Sequence, residues 1–477
     1  MTATLADFAS ILKEFYLGPV QEQLNNEVLV LQIMEKASVD WNGRLCHIPL
    51  HVGRAAGATG YIAESAALPA ASQQDYRNYV VNARFLYGRF EVTGPAIASA
   101  GKGGKNSFIG WADAEMDKLV SDVKNAADQA CFSGGRVLGF LNEKFDTGAL
   151  NATRAWQFTG DLAKVTALRT ATGVAPPGGL QVALCRMDLG SGAANDWISA
   201  SPADPVVISA EDPANQTITL DDRTGLGVQL NTSGVAAGFA VAVIAVDVRG
   251  DVNNIVGALG APTQPEGIYS NLVGQIVDAA GTVGVPGNVN QFGVPRNDGG
   301  ANPAVALQGN ILTQSVVPGA PSPAPAAGVR APLSLPRIQQ CFDQVMTRCD
   351  EEPDCIVMHP TMRTQYTSLL QAGLQTYTVK AEHGDGGFTG LSYGNVPIKT
   401  ARHAPRGGMI FLRTKDWKML QLQPGGFADL DGSVLSRGTA AGGGGLGADV
   451  WEGFYRWYYN TVCMRPNAQA ILVGINL

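Results

Sequence analysis

Charge is scarce in this chain. Only 16% of its 477 residues are Asp, Glu, Lys or Arg, and the formal net charge is −7. No basic surplus exists to form a broad cationic footprint, so any contact with nucleic acid is expected to be weak and local. Long apolar runs are missing too. The longest, Val235–Val246, falls well short of the roughly 20 residues that a membrane-spanning helix needs. The opening MTATLADFASILKEFYLGP puts Lys13 and Glu14 where a secretory signal keeps its apolar stretch. Neither export by that route nor a membrane span is expected. The seven cysteines are odd in number, scattered, and never in a CxxC pair. This argues against a disulfide scaffold. Cys131, Cys341 and Cys349 fall on apolar faces of expected helices, where cysteine acts as a small hydrophobe, so free thiols in a reducing compartment are expected. There is no internal repeat.

Catalytic constellations are also lacking. Gly390-Leu391-Ser392-Tyr393-Gly394 fits G-x-S-x-G, yet a nucleophile elbow needs a strand before the serine and a helix after it. HGDGGFT precedes it and the strand-like NVPIKT follows, so turn chemistry is the better reading, with a serine hydrolase using Ser392 as the rival of a different class. Cys46, His47 and His51 lie close in sequence, but on a strand Cys46 faces away from both histidines and no fourth ligand is visible. His359 and His403 look isolated. GKGGKNS (101–107) lacks the phosphate-loop spacing and a preceding strand; it reads as a flexible lead into a helix. Glu211, Asp212, Asp221 and Asp222 do not match a calcium loop. No cofactor, metal or catalytic residue is expected.

What is present is a long arm. Two alternating runs, Arg44–His51 and Tyr79–Glu91, flank the small and polar filler Val52–Asn78, whose middle holds few large apolar residues beyond Tyr61, Ile62 and Leu68. A lone two-stranded hairpin is marginal in water, and an open strand edge invites another chain. Such an arm makes sense lying on a neighbouring copy, with Arg54, Tyr61, Ile62, Glu64, Leu68 and Arg77 as contact residues. A long amphipathic helix follows, expected from Phe108 to Cys131, with Asn106 or Ser107 as its cap. Ala112, Met116, Leu119, Val123, Ala126 and Ala130 step by fours and threes along one face. About 24 residues give a rod of roughly 36 Å.

Length suggests about three domains. Residues 141–266 differ in character: 13 acids against 7 bases give −6, which leaves the rest near −1. Short β-type runs at Val206–Ser209, Thr217–Leu220, Val228–Asn231 and Phe239–Val248, parted by Asp and Gly turns, suit a small β-barrel or sandwich. After the Pro/Ala-rich 316–332, Ser334 and Pro336 open a helix with apolar face Ile338, Cys341, Phe342, Val345, Met346 and Cys349. A buried strand Cys355–Met358, a helix near Thr361–Gln371 and strands at Val396–Thr400, Met409–Arg413, Trp417–Leu422, Tyr455–Met464 and Ala470–Ile475 complete an α+β pattern.

The stretch GRAAGATGYIAESAALPAASQQDYRNYVVNARFLYGRFEVTGPAIASA, then FIGWADAEMDKLVSDVKNAADQACFSGG, resembles the extended loop and spine helix of tailed-bacteriophage major capsid proteins with the Hong Kong 97-like fold. DCIVMHPTMRTQYTSLL and YGNVPIKTARHAPRGGMIFLRTKDWKMLQL resemble that family's axial and peripheral elements. Together these cover about two-thirds of the chain. The resemblance implies an N-arm (1–40), extended loop with flanking strands (41–94), spine helix of the peripheral domain (95–140, core face Met116, Leu119, Val123 and Ala126), inserted β-domain (141–266), connector (267–332) and axial domain with remaining peripheral strands (333–477). It implies a structural protein of the virion, assembled in the host cytoplasm as hexamers and pentamers around double-stranded DNA. Its implied partners are further copies, a separate scaffold, a portal and a decoration protein. A cellular encapsulin-type compartment is the alternative within the same fold. Some relatives cross-link through a loop lysine; Val52–Asn78 has none.

Overall fold

The computed structural model describes residues 29–38, 41, 43, 45–53, 60–64, 67–93, 105–135, 137–141, 155–171, 180–187, 206–222, 240–245, 264–273, 290–295, 307, 309–313, 332–372, 391–428, 436–437 and 450–475. The opening stretch MTATLADFASILKEFYLGP, the run Val228–Asn231, Arg54 and residues 101–104 lie outside them. Helix α1 (Leu29–Ile33) buries Val30 and Leu31. Its open backbone donors are met by the buried Asp128 carboxylate, which accepts from Val30 N at 3.0 Å and Leu31 N at 3.2 Å. Strand β1 (Glu35–Ser38) then runs parallel to Trp417–Phe427.

The arm's strands are β2 (Leu45–Gly53) and β3 (Asp75–Asn82), an antiparallel pair that forms its own sheet. The expected single run Tyr79–Glu91 divides at the buried Ala83. Beyond it, β4 (Arg84–Thr93) leaves β3 and pairs with Val450–Cys463 in a second sheet. Alternation alone conceals this break, because the pattern stays in phase while the pairing partner changes. Helix α2 (Lys105–Ser133) begins earlier than expected, so Asn106 and Ser107 sit in its first turn instead of capping it. Its inward face runs through Val123, Ala127 and Cys131, with Leu119 and Val120 half-buried against the same core. Met116 is half-buried, and Ala126, expected inside, is exposed. The helix is rotated so that Ala127 and Asp128 meet α1. It crosses β4 at Gly88, where an added Cβ would stand 2.8 Å from Val123 Cγ2.

A closed barrel follows. Its strands are β5 (Val137–Leu141), β6 (Ala155–Gly160), β7 (Leu180–Met187), β8 (Val206–Asp212), β9 (Thr217–Asp222) and β10 (Ala240–Ala245), in the order β10-β5-β6-β9-β8-β7. Closure removes the free edges that short β-runs would otherwise expose. Inside lie Trp156, Phe158, Val182, Leu184, Ile208 and Ile218, and helix α3 (Leu162–Ala171) adds Leu162 and Val165. The barrel starts at Val137, four residues before the composition changes.

Helix α4 (Ile268–Val273) is wholly buried under α2 and Phe140. The two-residue strands β11 (Asn290–Gln291) and β12 (Val294–Pro295) pair beneath β3, where Phe292 meets Tyr79 at 5.4 Å. Strand β13 (Asn310–Thr313) runs parallel to Ala470–Val473. The segment expected to be a connector therefore supplies both core helix and sheet strand.

Helix α5 (Leu335–Cys349) buries Ile338, Cys341, Phe342, Val345 and Cys349 as expected, while Met346 is 49% exposed. Strand β14 (Cys355–Met358), helix α6 (Pro360–Ala372), and strands β15 (Ser392–Tyr393), β16 (Val396–Thr400) and β17 (Gly408–Leu412) come next. Last are β18 (Trp417–Phe427), β19 (Ser436–Arg437), β20 (Val450–Cys463) and β21 (Ala470–Val473). One mixed sheet has the order β13-β21-β17-β14-β16-β15, covered by α5 and α6; the other runs β1-β18-β20, with β4 and β19 also on β20.

Candidate assembly surface

Between the arm's two strands, residues 60–64 and 67–74 form neither helix nor strand, and nearly all of them are exposed. Tyr61 is 110% exposed and Leu68 83%, with Ile62 and Glu64 also in the open. Tyr61 and Leu68 are left almost uncovered by their own subunit, and Ile62 keeps 47% of its surface exposed. Arg77 is half-buried on β3 and pairs with Asp75 at 3.0 Å. Arg54 lies outside the described residues. At its foot the hairpin is anchored by Cys46, Tyr79, Val81, Leu420 and Val462. A packed base thus carries an uncovered apolar tip.

A second exposed apolar patch went unread in the sequence. On β4, Leu86, Gly88 and Phe90 face α2, so Phe85 and Tyr87 face outward at 53% and 56% exposure. Tyr458 on β20 joins them: its ring meets Phe85 edge-on at 4.9 Å, and its hydroxyl lies 2.8 Å from that of Tyr87. Arg89 crosses to Glu452 at 3.0 Å. Phe85 and Tyr458 are far apart in sequence, so only the pairing of β4 with β20 creates this patch.

The chemistry-bearing residues fall elsewhere. Ser392 lies on β15, where Gly394 (φ 54°) and Asn395 (φ 67°) form a two-residue turn into β16, the left-handed pair that a tight hairpin requires. No helix follows the serine, so it does not stand on a nucleophile elbow. Cys46 is buried while His47 and His51 are exposed, which separates them as strand alternation predicts. Glu211 pairs with Arg169 at 2.7 Å, and Asp212 caps the turn to Asn215. Among the described residues no cluster of His, Cys, Asp or Glu could hold a metal.

His359 and His403, isolated in sequence, meet where barrel, α2 and the mixed sheet join. Asp161 caps α3 by accepting from Ala163 N at 2.9 Å. It also accepts from Gln129 Nε2 at 2.8 Å and lies 3.4 Å from His403 Nδ1. His403 Nε2 is 3.0 Å from Asn125 Oδ1. Arg406 donates to His359 Nε2 at 3.4 Å, and a β-bridge joins Arg406 to Gly160. Lys164 reaches Ser133 O and Gln264 Oε1, and burial brings its pKa down to about 8. For Asp161, burial pushes the pKa up, but hydrogen bonds from His403 and Gln129 outweigh it and the net shift is downward. Burial first, then Arg406, pull His359 down to about 4.

That shift makes a pH prediction. Below about 6.5 the unfolded chain protonates His359 while the folded chain resists until about 4. The unfolded state binds more protons in this window, so stability falls as pH drops from about 6.5 to 4. Urea midpoints between pH 7 and 4.5 are expected to decline less steeply for His359→Gln than for the unaltered chain. Equal slopes would mean that this histidine is not held neutral.

No family model matches the chain, and no curated protein does. Similar solved structures exist. The cyanophage A-1(L) capsid asymmetric unit is 8% identical at TM-score 0.49, with both chains covered in full. The capsid of a native GTA particle, computed with C5 symmetry, is 8% identical at TM-score 0.48, covering 100% of this chain and 99% of that one. Both of these structures are capsids. A third, from Microbacterium phage Oxtober96, is 10% identical at TM-score 0.46 and 99% covered on both sides.

Proposed function

We propose that this chain is the major capsid subunit of a tailed phage, with a Hong Kong 97-like fold, forming hexamers and pentamers that close into an icosahedral shell around double-stranded DNA. The observation that carries this reading is the uncovered arm. A hairpin clamped at its base presents Tyr61, Ile62 and Leu68 to solvent, and only a partner can bury them. The chain order of arm, long helix and two sheets agrees with the sequence resemblance. A standard interface buries about 1,600 Å² and obligate ones more, so several per copy hold a shell without disulfides. Outside residues 141–266 the charge is near −1, which suits a wall facing DNA, since strong phosphate binding would oppose its release. A separate scaffold, a portal and a decoration protein are the partners that such a shell calls for, with assembly in the host cytoplasm. Electron microscopy of the expressed chain tests the proposal: closed shells are expected, and a monomer at every concentration would overturn it.

The lysine-free loop predicts a shell held together non-covalently. Particles boiled in SDS are expected to run as one band near 49.9 kDa. A ladder that survives reductant would point to cross-linking through another lysine, such as Lys102 or Lys105.

The barrel belongs to the acidic block, and like charge repels it from packaged DNA; we place it on the outer surface. The β8–β9 turn, with Pro213, Ala214 and Asn215 exposed, offers a cleavage site. Protease added to intact, DNA-filled particles is expected to cut within Ala200–Gly227 while the spine helix and C-terminal strands stay protected. Cleavage only after the shell is opened would place the barrel inside.

A further inference from the structure

Beside the foot of the arm lies a cleft of about 630 Å³, lined by β2, the end of α5 and the turn after β20. This is large enough for a few side chains. Leu50, Val52 and Met464 form apolar wall, and Arg348, Arg465 and His51 bring positive charge or hydrogen-bonding nitrogen. Arg465 is held by Glu351 Oε1 at 3.3 Å and Cys349 O at 3.1 Å. Arg348 is not held in this way. Its Nη1 is buried with no hydrogen-bond partner, and no carboxylate pairs with it among the described residues. Asp350, the one acid in the lining, sits at the exposed end of α5. Arg348 as a whole is half-buried, and leaving one of its nitrogens sequestered without a partner is costly, so the cleft favours a carboxylate that arrives with apolar neighbours.

The chain carries such a segment. Between Arg54 and Arg77 it has two acids, Glu64 and Asp75, and no lysine or arginine. Glu64 follows Tyr61 and Ile62, all three exposed and therefore not seated in their own subunit's cleft. We infer that Tyr61–Glu64 of one copy docks in this cleft of the next copy, with Glu64 meeting Arg348. The inference rests on the shell reading and gives it a direction. Tip into cleft is a head-to-tail contact, which closes into a ring when the rotation allows.

Full-length chain carrying Glu64→Cys and Asp350→Cys, assembled and then oxidised, tests this. Non-reducing SDS gels are expected to show a ladder of disulfide-linked oligomers that neither single variant gives. Intact shells with no ladder, a disulfide confined within one chain, or a link from the new thiol at position 350 to any residue other than the thiol at position 64 of another copy would each overturn the docking while leaving the shell reading in place. Failure of the unaltered chain to form shells would instead overturn the shell reading. A charge swap gives an independent readout. Arg348→Glu is expected to weaken each contact about tenfold, the scale of one charge-assisted hydrogen bond, and Glu64→Arg in the same chain to restore assembly. A folded Arg348→Glu variant that assembles normally would count against the docking.

Discussion

A chain lacking Gly57–Ala71 is expected to fold, remain soluble and form no closed shell. The deletion removes Tyr61, Ile62 and Leu68, which are 110%, 47% and 83% exposed. Residues this open contribute little burial within their own subunit, so their loss costs the isolated fold little. The base of the hairpin keeps its core of Cys46, Tyr79, Val81 and Val462, and the shortened connection between β2 and β3 lowers the entropy of closing the loop. The same apolar tip is what a neighbour would bury in the proposed shell. The expected result is therefore split: a melting temperature within a few degrees of the intact chain, and loss of particles by electron microscopy and sedimentation. Shells of normal size from the deleted chain would show that the arm is not the clamp. A deleted chain that unfolds would show that the tip serves its own subunit.

Phe158→Ala is expected to destabilise the barrel by about 3–5 kcal/mol, the range for truncating a buried phenylalanine. The ring is fully buried and fills a space kept open by two facing glycines. Gly139 and Gly160 pair across β5 and β6. A Cβ on Gly139 would stand 2.5 Å from the Phe158 ring, and one on Gly160 2.7 Å. A closed barrel has no edge strand that can slide inward to fill the gap, so a cavity remains. Denaturant unfolding followed by tryptophan fluorescence reads the loss, because the buried Trp156 lies in the same core. If the barrel unfolds as its own cooperative unit, the variant shows an early transition that leaves the later one unmoved. A single transition shifted as a whole would mean that the junction through Asp161, His403 and Arg406 couples barrel and sheets. A change below about 1 kcal/mol would mean that the ring does not pack as described, since truncating a buried phenylalanine to alanine costs about three times that or more.

Much of the secondary structure was legible because local patterns record it. The alternation of β2, the apolar face of α5 and the continuous apolar run of β14 each follow from a period of 2 or 3.6, or from burial on both sides. The acidic block with its short β-runs marked the barrel for a similar reason: strands parted by Asp and Gly turns are a local signal. Errors arose where a neighbour distant in sequence made the decision. Ala126 faces out because α1 draws Ala127 and Asp128 inward. Met346 is exposed on a face whose other members are buried. The run Tyr79–Glu91 divides because β4 finds β20, and β13 joins the mixed sheet through β21, more than 150 residues away.

The candidate surface divides in the same way. The sequence alone determined that an arm with a small, lysine-free, sparsely apolar tip exists and precedes a long helix, since these are matters of composition and order. Only the tertiary structure decided that Phe85, Tyr87 and Tyr458 form one outward patch. It alone brings His359, His403, Asp161 and Lys164 to one buried junction and leaves Arg348 Nη1 without a hydrogen-bond partner among the described residues, beside a cleft. Such sites depend on pairing between strands and on the cost of burying charge, and neither is encoded in the spacing of residues along one segment.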